Sequence, residues 1–246
     1  MAKKSTDNAE YNALRDAVKA GTPARLYIFH GEEPYLREAM VASLRECLLP
    51  GGTNGFNYRR FSGRVPAETL REAVETLPAF AERTLVEVMD YEFSRDLEAI
   101  MPTLRDLPEY ICLVFINSAV EFKPDKRQKI TAELLKLASV VEFSIQEQSK
   151  LVPWVRRHFD SRGKRISPAD AEYLAFITGG LMTSLIGEID KLAAYAAGDT
   201  VTRAEIDALV TPVLEAEIYN LTDAVAKRDY RAAAEVLRKL IALREA

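Results

Sequence analysis

The sequence predicts an α/β fold, a parallel sheet flanked by helices, followed by a purely helical region. Three observations predict it. Strand and helix signals alternate from residue 26 to residue 144, as they must when parallel neighbours are joined by helical crossovers. The runs Thr84 to Val88 and Ile111 to Ile116 are almost continuously apolar, the pattern of strands covered on both faces, and these are the expected central strands. After Ser144 the strand signals cease and only helical periodicity remains.

The elements follow in order. Glu10 to Ala20 carries a lead-in helix stopped by Gly21 and Pro23. Strands are expected at Leu26 to Phe29, Phe56 to Phe61, Thr84 to Met89, Tyr110 to Asn117 and Val140 to Ser144. The intervening helices are Arg37 to Leu49, Ala67 to Leu77, Ser94 to Arg105 and Arg127 to Leu137. Helices then run over Glu147 to Asp160, Pro168 to Thr178, Leu181 to Ala197 and Arg203 to Val210, separated by glycines, with Ser167-Pro168 supplying an N-cap and a proline at the first helical position. Two more helices, Glu217 to Ala226 and Tyr230 to Arg244, follow Pro212, and two helices are a poor core by themselves. The expected domains are therefore 1–145, 146–212 and an incomplete helical piece, 213–246.

The bulk numbers bound the function. With 48% hydrophobic and 28% charged residues in 246, the chain has an ordinary globular composition. No apolar run approaches the roughly 18 residues of a membrane span, and Met1 to Glu10 lacks the apolar centre of a signal peptide, so the cytoplasm and no membrane partner are expected. A net charge of −4 argues against a freestanding nucleic-acid binder, though not against contact with DNA inside an assembly. Cys47 and Cys112 lack the spacing and histidine neighbours of a zinc site and are expected to be inert thiols, so no metal or other cofactor is expected.

Gly31 to Glu38, Gly-Glu-Glu-Pro-Tyr-Leu-Arg-Glu, stands where a phosphate-binding loop would stand, after a buried strand and at the start of a helix. Such a loop reads G-x-x-x-x-G-K-S/T, with glycines for close approach, a lysine on the phosphates and a hydroxyl on magnesium. Here Leu36 replaces the second glycine, Arg37 the lysine and Glu38 the hydroxyl, while Glu32 and Glu33 add carboxylates where phosphates would sit. An ordinary strand-turn-helix with Gly31 in the turn fits the same string.

Several stretches together carry a resemblance: residues 26–36, Leu-Tyr-Ile-Phe-His-Gly-Glu-Glu-Pro-Tyr-Leu; residues 77–88, Leu-Pro-Ala-Phe-Ala-Glu-Arg-Thr-Leu-Val-Glu-Val; Lys126-Arg127 before the helix that leads to Val140-Val141-Glu142-Phe143; Trp154; and Gly187-Glu188-Ile189-Asp190-Lys191-Leu192. In this order they resemble the delta-subunit family of bacterial DNA polymerase III clamp loaders, non-ATPase members of the AAA+ group. The resemblance implies an AAA+-like domain with a degenerate phosphate loop, a small helical lid, and the start of a helical collar in which the chain ends. It implies no enzyme activity for the isolated subunit. The implied partners are the sliding clamp (the beta subunit), the ATPase subunits (gamma/tau), delta-prime, and DNA within the assembled complex.

Other implied positions remain open between two readings. Asp90 and Glu92 lie near the acidic pair that an ATPase uses for magnesium and water, or form a solvated turn. Asn117 resembles a γ-phosphate sensor or is a turn residue. Met182 stands near the place of a sensing arginine and cannot replace it. Clamp binding is implied at Leu77, Pro78 and Phe80, a hydrophobic tip at a helix end, with Ala79 where the family tends to a larger apolar residue; from the residues alone, Leu77 and Phe80 equally suit a cap on the sheet's core. Two basic clusters, Lys123, Lys126, Arg127, Lys129 and Arg156, Arg157, Arg162, Lys164, Arg165, suit solvated faces, subunit contacts or DNA. A divergent ATPase using Arg37, or a regulatory interaction protein on an AAA+ scaffold, are the competing functions.

Overall fold

The computed structural model describes residues 9–49, 52, 55–79 and 81–245. The chain divides into two compact units, Met1–Ser144 and Ile145–Ala246.

The first unit holds α1 (Ala9–Lys19), β1 (Leu26–His30), α2 (Pro34–Leu48), β2 (Tyr58–Ser62), α3 (Ala67–Glu75), β3 (Thr84–Met89), α4 (Phe93–Arg105), β4 (Ile111–Ile116), α5 (Lys129–Leu137) and β5 (Ser139–Glu142). Its five strands are all parallel in the order β2-β3-β4-β1-β5, so the apolar β3 and β4 lie inside the sheet. Alternation along each strand sends side chains to two cores. Leu26, Ile28, Val86, Val88, Leu113 and Phe115 pack with Leu70 of α3, Ile100 of α4 and Leu134 of α5. Tyr27, Phe29, Leu85, Cys112, Val114 and Ile116 pack on the other face with Leu14 of α1 and Met40 and Leu44 of α2.

Glu87 of β3 points to that second face with only 1% exposure. Arg45 of α2 meets it through two bonds of 2.6 and 2.5 Å, and the Tyr58 hydroxyl donates to the same carboxylate at 2.9 Å. A charge this deep is tolerated only when so satisfied.

Many element ends shift by one to three residues from the sequence expectation, α10 for instance starting at Leu214 rather than Glu217, and three of these shifts bear on the sites below. α2 starts at Pro34 rather than Arg37, because proline suits the first helical position and the Glu33 carboxylate caps the helix by accepting from the Tyr35 N–H. α3 stops at Glu75 rather than Leu77: Leu77 precedes Pro78, whose ring disfavours helical geometry in the residue before it. β2 starts at Tyr58, which leaves Phe56 in the preceding turn.

The second unit contains α6 (Gln148–Asp160), β6 (Arg165–Ile166), α7 (Pro168–Ile177), α8 (Met182–Tyr195), β7 (Thr200–Val201), α9 (Arg203–Leu209), α10 (Leu214–Ala226) and α11 (Tyr230–Glu245). The expectation of no strands after Ser144 is corrected here: β6 and β7 pair in parallel as a two-stranded sheet, too short to show a period in sequence. Ser167 caps α7, its hydroxyl accepting from the Asp170 N–H at 3.0 Å, with Pro168 next, as expected. Among the described residues no helix is long and apolar enough to cross a membrane.

Candidate functional site

In an open parallel sheet, ligands bind beyond the carboxyl ends of the strands, and there the loop after β1 meets the ends of β3, β4 and β5. Gly31 has a φ of 118°, a conformation for which glycine is suited. Its second requirement is spatial: a Cβ there would lie 2.4 Å from the Phe143 carbonyl oxygen. The chain after β5 passes against the loop, with the Glu33 N–H donating to the Phe143 oxygen at 2.9 Å and the Phe143 N–H to the His30 oxygen at 2.7 Å. Backbone, rather than phosphate, occupies the space that this glycine opens.

The remaining loop residues are also spent internally. Arg37 is 5% exposed and donates to the Gly31 carbonyl oxygen at 2.8 Å. Glu33 is fully buried, so its carboxylate turns inward as a helix cap instead of facing a ligand. Leu36 packs against the second-face core, while Glu32 and Glu38 are exposed.

Asp90 follows β3 in left-handed geometry, φ 53°, which aspartate adopts more readily than most residues. Its Oδ1 accepts from the N–H groups of Ser118 and Ala119, both at 2.7 Å, and of Val120 at 3.2 Å. Partial burial opposes ionisation, but these three donors, with Arg37 adding, hold the carboxyl below its ordinary range. Successive N–H groups of this kind form an anion-binding nest, and here the anion is the protein's own. Asn117 Nδ2 donates to the Tyr91 and Val120 carbonyl oxygens at 3.1 and 3.2 Å, and Glu92 pairs with Arg95 on the surface. Arg37, Glu33 and Asp90 thus have their bonds within the protein, whereas the buried Asn117 Oδ1 meets no hydrogen-bond donor.

In the second unit, Gly179 and Gly180 have φ of 77° and 76° and lead into Met182, which is 3% exposed. Of the second basic cluster, Arg162 pairs with Asp190, and Lys164 donates to the Ala196 and Gly198 carbonyl oxygens, both at 2.7 Å. Arg156, Arg157 and Arg165 are exposed. In the first cluster Lys123 pairs with Glu121 at 2.7 Å, while Lys126, Arg127 and Lys129 are exposed.

Cys112 is fully buried, which pushes its thiol up to about 12, and Cys47 donates to the Val18 oxygen at 3.4 Å. No group of three or more His, Cys, Asp or Glu suited to a metal occurs among the described residues.

The tip lies at the opposite, amino-terminal edge of the sheet, between α3 and β3. Leu77 is 72% exposed, which removes it from the sheet's core, and Pro78 and Ala79 are half-buried. Phe80 lies outside the described residues. The loop is anchored on both sides: the Tyr110 hydroxyl donates to the Glu75 oxygen at 3.0 Å, and Asn57 exchanges two bonds of 2.6 Å with the N–H and C=O of Ala79. In sequence, Phe56 and Asn57 fall inside the expected strand Phe56 to Phe61, and neither is marked there as a site residue.

The family described as DNA polymerase III, delta subunit matches residues 27–144. The DNA polymerase III subunit delta of Bacillus subtilis (strain 168) is 27% identical over 224 residues, 86% of this chain and 64% of that protein. The probable DNA polymerase III subunit delta of Aquifex aeolicus (strain VF5) is 23% identical over 234 residues, 88% of this chain and 64% of that protein. The chain therefore spans 64% of the length of these curated relatives. Among solved structures, the Bacillus subtilis DNA clamp loader delta protein matches with a TM-score of 0.58 at 22% identity, covering 95% of this chain and 72% of that one. The Thermotoga maritima RuvB Holliday junction branch migration motor matches at 0.53 and 13% identity, covering 96% and 82%. At such identities the two structures speak for the fold, which is AAA+-like.

Proposed function

We propose that this chain, whose residues 27–144 match the DNA polymerase III delta-subunit family, is the clamp-loader subunit that binds and opens the sliding clamp without hydrolysing ATP itself. The observation that carries the reading is Leu77, a large apolar side chain 72% exposed on an anchored loop. With Pro78 and Phe80 it would enter an apolar pocket of the clamp, where a few buried anchors supply most of the interface energy. A ligand shifts a closed-to-open equilibrium only by its differential affinity for the two forms, so the tip grips a surface that fits better in the open ring.

The phosphate loop at Gly31, Leu36, Arg37 and Glu38 is on this reading a structural remnant. It lacks a lysine and a hydroxyl, and its arginine is bound to Gly31, so it offers little charge to stabilise a transferred phosphoryl group. The motor is supplied by the ATPase subunits (gamma/tau), with delta-prime and DNA as further partners in the assembled cytoplasmic complex. The second unit then comprises the lid, 146–212, and a collar segment, 213–246.

The test is clamp affinity and thermal unfolding of one variant carrying Leu77→Ala and Phe80→Ala. The expected result is a loss of about 2–4 kcal/mol of binding, roughly 30- to 1,000-fold, with little change in melting temperature. Unchanged affinity, or no clamp binding by the unaltered chain, would overturn the reading.

A further inference from the structure

Among the described residues of the first unit, the exposed large apolar side chains are Phe56 at 82%, Leu77 at 72% and Leu137 at 41%. The two most exposed lie on different loops, one before β2 and one before β3, and the same residue ties those loops together. Asn57 follows Phe56 directly. Its Oδ1 accepts from the Ala79 N–H at 2.6 Å and its Nδ2 donates to the Ala79 carbonyl oxygen at 2.6 Å. Its own carbonyl oxygen accepts from the Leu85 N–H at 2.9 Å, which fixes the Phe56 loop to β3.

A scattered exposed apolar residue needs no explanation. Two of them on loops locked to one another by a bidentate amide are a different matter, because the lock fixes where one stands relative to the other. Asn57 and Ala79 are both half-buried, so these bonds lie near solvent, where losing them costs the fold less than in the core. Their effect is on order, since groups held in their bound arrangement lose less freedom on association.

We infer that Phe56 joins Leu77 as a second anchor for the apolar surface of the sliding clamp, and that Asn57 is the positioning residue that sets the two anchors in register. The inference rests on the clamp-binding reading. It makes the contact a two-loop surface at the amino-terminal ends of β2 and β3 rather than a single tip at the end of α3.

The experiment measures clamp affinity and melting temperature of the 246-residue chain and of Phe56→Ala, Leu77→Ala, Asn57→Ala and Asn57→Ala/Leu77→Ala. Phe56→Ala should weaken binding by roughly tenfold or more at an unchanged melting temperature. Asn57→Ala should weaken it by about fivefold to tenfold, and by clearly less when Leu77 is already alanine, because residues acting through one contact are not additive. Asn57→Asp, which keeps an acceptor for the Ala79 N–H but not the donor, should recover part of the loss. If Leu77→Ala loses affinity while Phe56→Ala and Asn57→Ala bind like the unaltered chain, the inference is wrong and the clamp-binding reading survives. Equal losses from Asn57→Ala in both backgrounds would refute the positioning role. Should Asn57→Ala unfold, Phe56→Ala and Asn57→Asp still decide. If the unaltered chain does not bind the clamp, both readings fall.

Discussion

The guanidinium of Arg37 donates to the carbonyl oxygen of Gly31 at 2.8 Å, six residues back in the same loop. The cation at the place of a phosphate-loop lysine is therefore folded onto the loop that would have to cradle the phosphates. Asp90 lies near enough to act on it electrostatically and fills the backbone nest after β4 with its own carboxylate.

Titration calorimetry with ATP and magnesium should accordingly show no binding. The stronger expectation concerns Leu36→Gly, Arg37→Lys and Glu38→Thr made together. That variant regains the motif yet still binds no nucleotide, because the Phe143 backbone against Gly31 and the Asp90 carboxylate in the nest after β4 remain. Micromolar affinity in the triple variant would show that the missing motif residues alone were the barrier.

Gly31 itself yields a prediction about stability. Alanine there combines a φ of 118° with a Cβ only 2.4 Å from the Phe143 carbonyl oxygen. Relief requires backbone to move, against the bonds joining Glu33 and His30 to Phe143. Gly31→Ala should cost about 3 kcal/mol in urea unfolding. Gly63→Ala is the control: its φ is 68° but a Cβ meets nothing within 4 Å, so the cost there should be about 1 kcal/mol. Equal costs at the two positions would mean that the close approach of Phe143 contributes nothing.

Much of the fold was legible because it rests on local period. Ile111 to Ile116 is apolar at every position and became the central β4, buried throughout. The ends were harder. Leu77 looked like the last residue of a helix by periodicity, and only the proline that follows it excludes it from α3. β6 and β7 have two residues each, a single strand repeat and too few to show alternation. At the candidate sites, sequence showed which residues were missing from the phosphate loop, but not what occupied the space. Arg37 meeting Gly31, Asp90 meeting Ser118 and Asn57 meeting Ala79 are bonds made by chain folding, and Asp90 and Ser118 lie 28 positions apart. Arg162 and Lys164 counted as free charge in the sequence and are bound within the second unit.

The Arg45–Glu87 pair should behave as a buried unit. Arg45→Ala leaves a carboxylate that is 1% exposed with only the Tyr58 hydroxyl as partner, a loss of about 3 kcal/mol. Tyr58→Phe removes one bond and should cost about 1 kcal/mol. Replacing both charges, Arg45→Met with Glu87→Met, should recover most of the loss, since no ion is then stranded. Urea unfolding of the four proteins checks this. If the double variant were no more stable than Arg45→Ala, packing rather than stranded charge would be the cause.

The two histidines predict the response to mild acid. Burial pulls His30 below its ordinary 6.5, partly countered by Glu142. Burial does the same to His158, with Arg162 and Arg157 adding and Asp190 opposing; its ring also lies against Trp154, tilted by 49° with centroids 4.1 Å apart. Between each lowered folded value and 6.5, the unfolded chain binds more protons than the folded one. Stability from these groups is thus complete above about pH 6.5 and is lost as pH falls toward the folded values. The urea midpoint should be flat from pH 8 to 7 and decline from 6.5 to 5.5, and His30→Gln or His158→Gln should each flatten part of that decline. Imidazole proton resonances titrating above 6.5, or a midpoint that rises on acidification, would contradict the assignment of both rings as half-buried groups with lowered pKa.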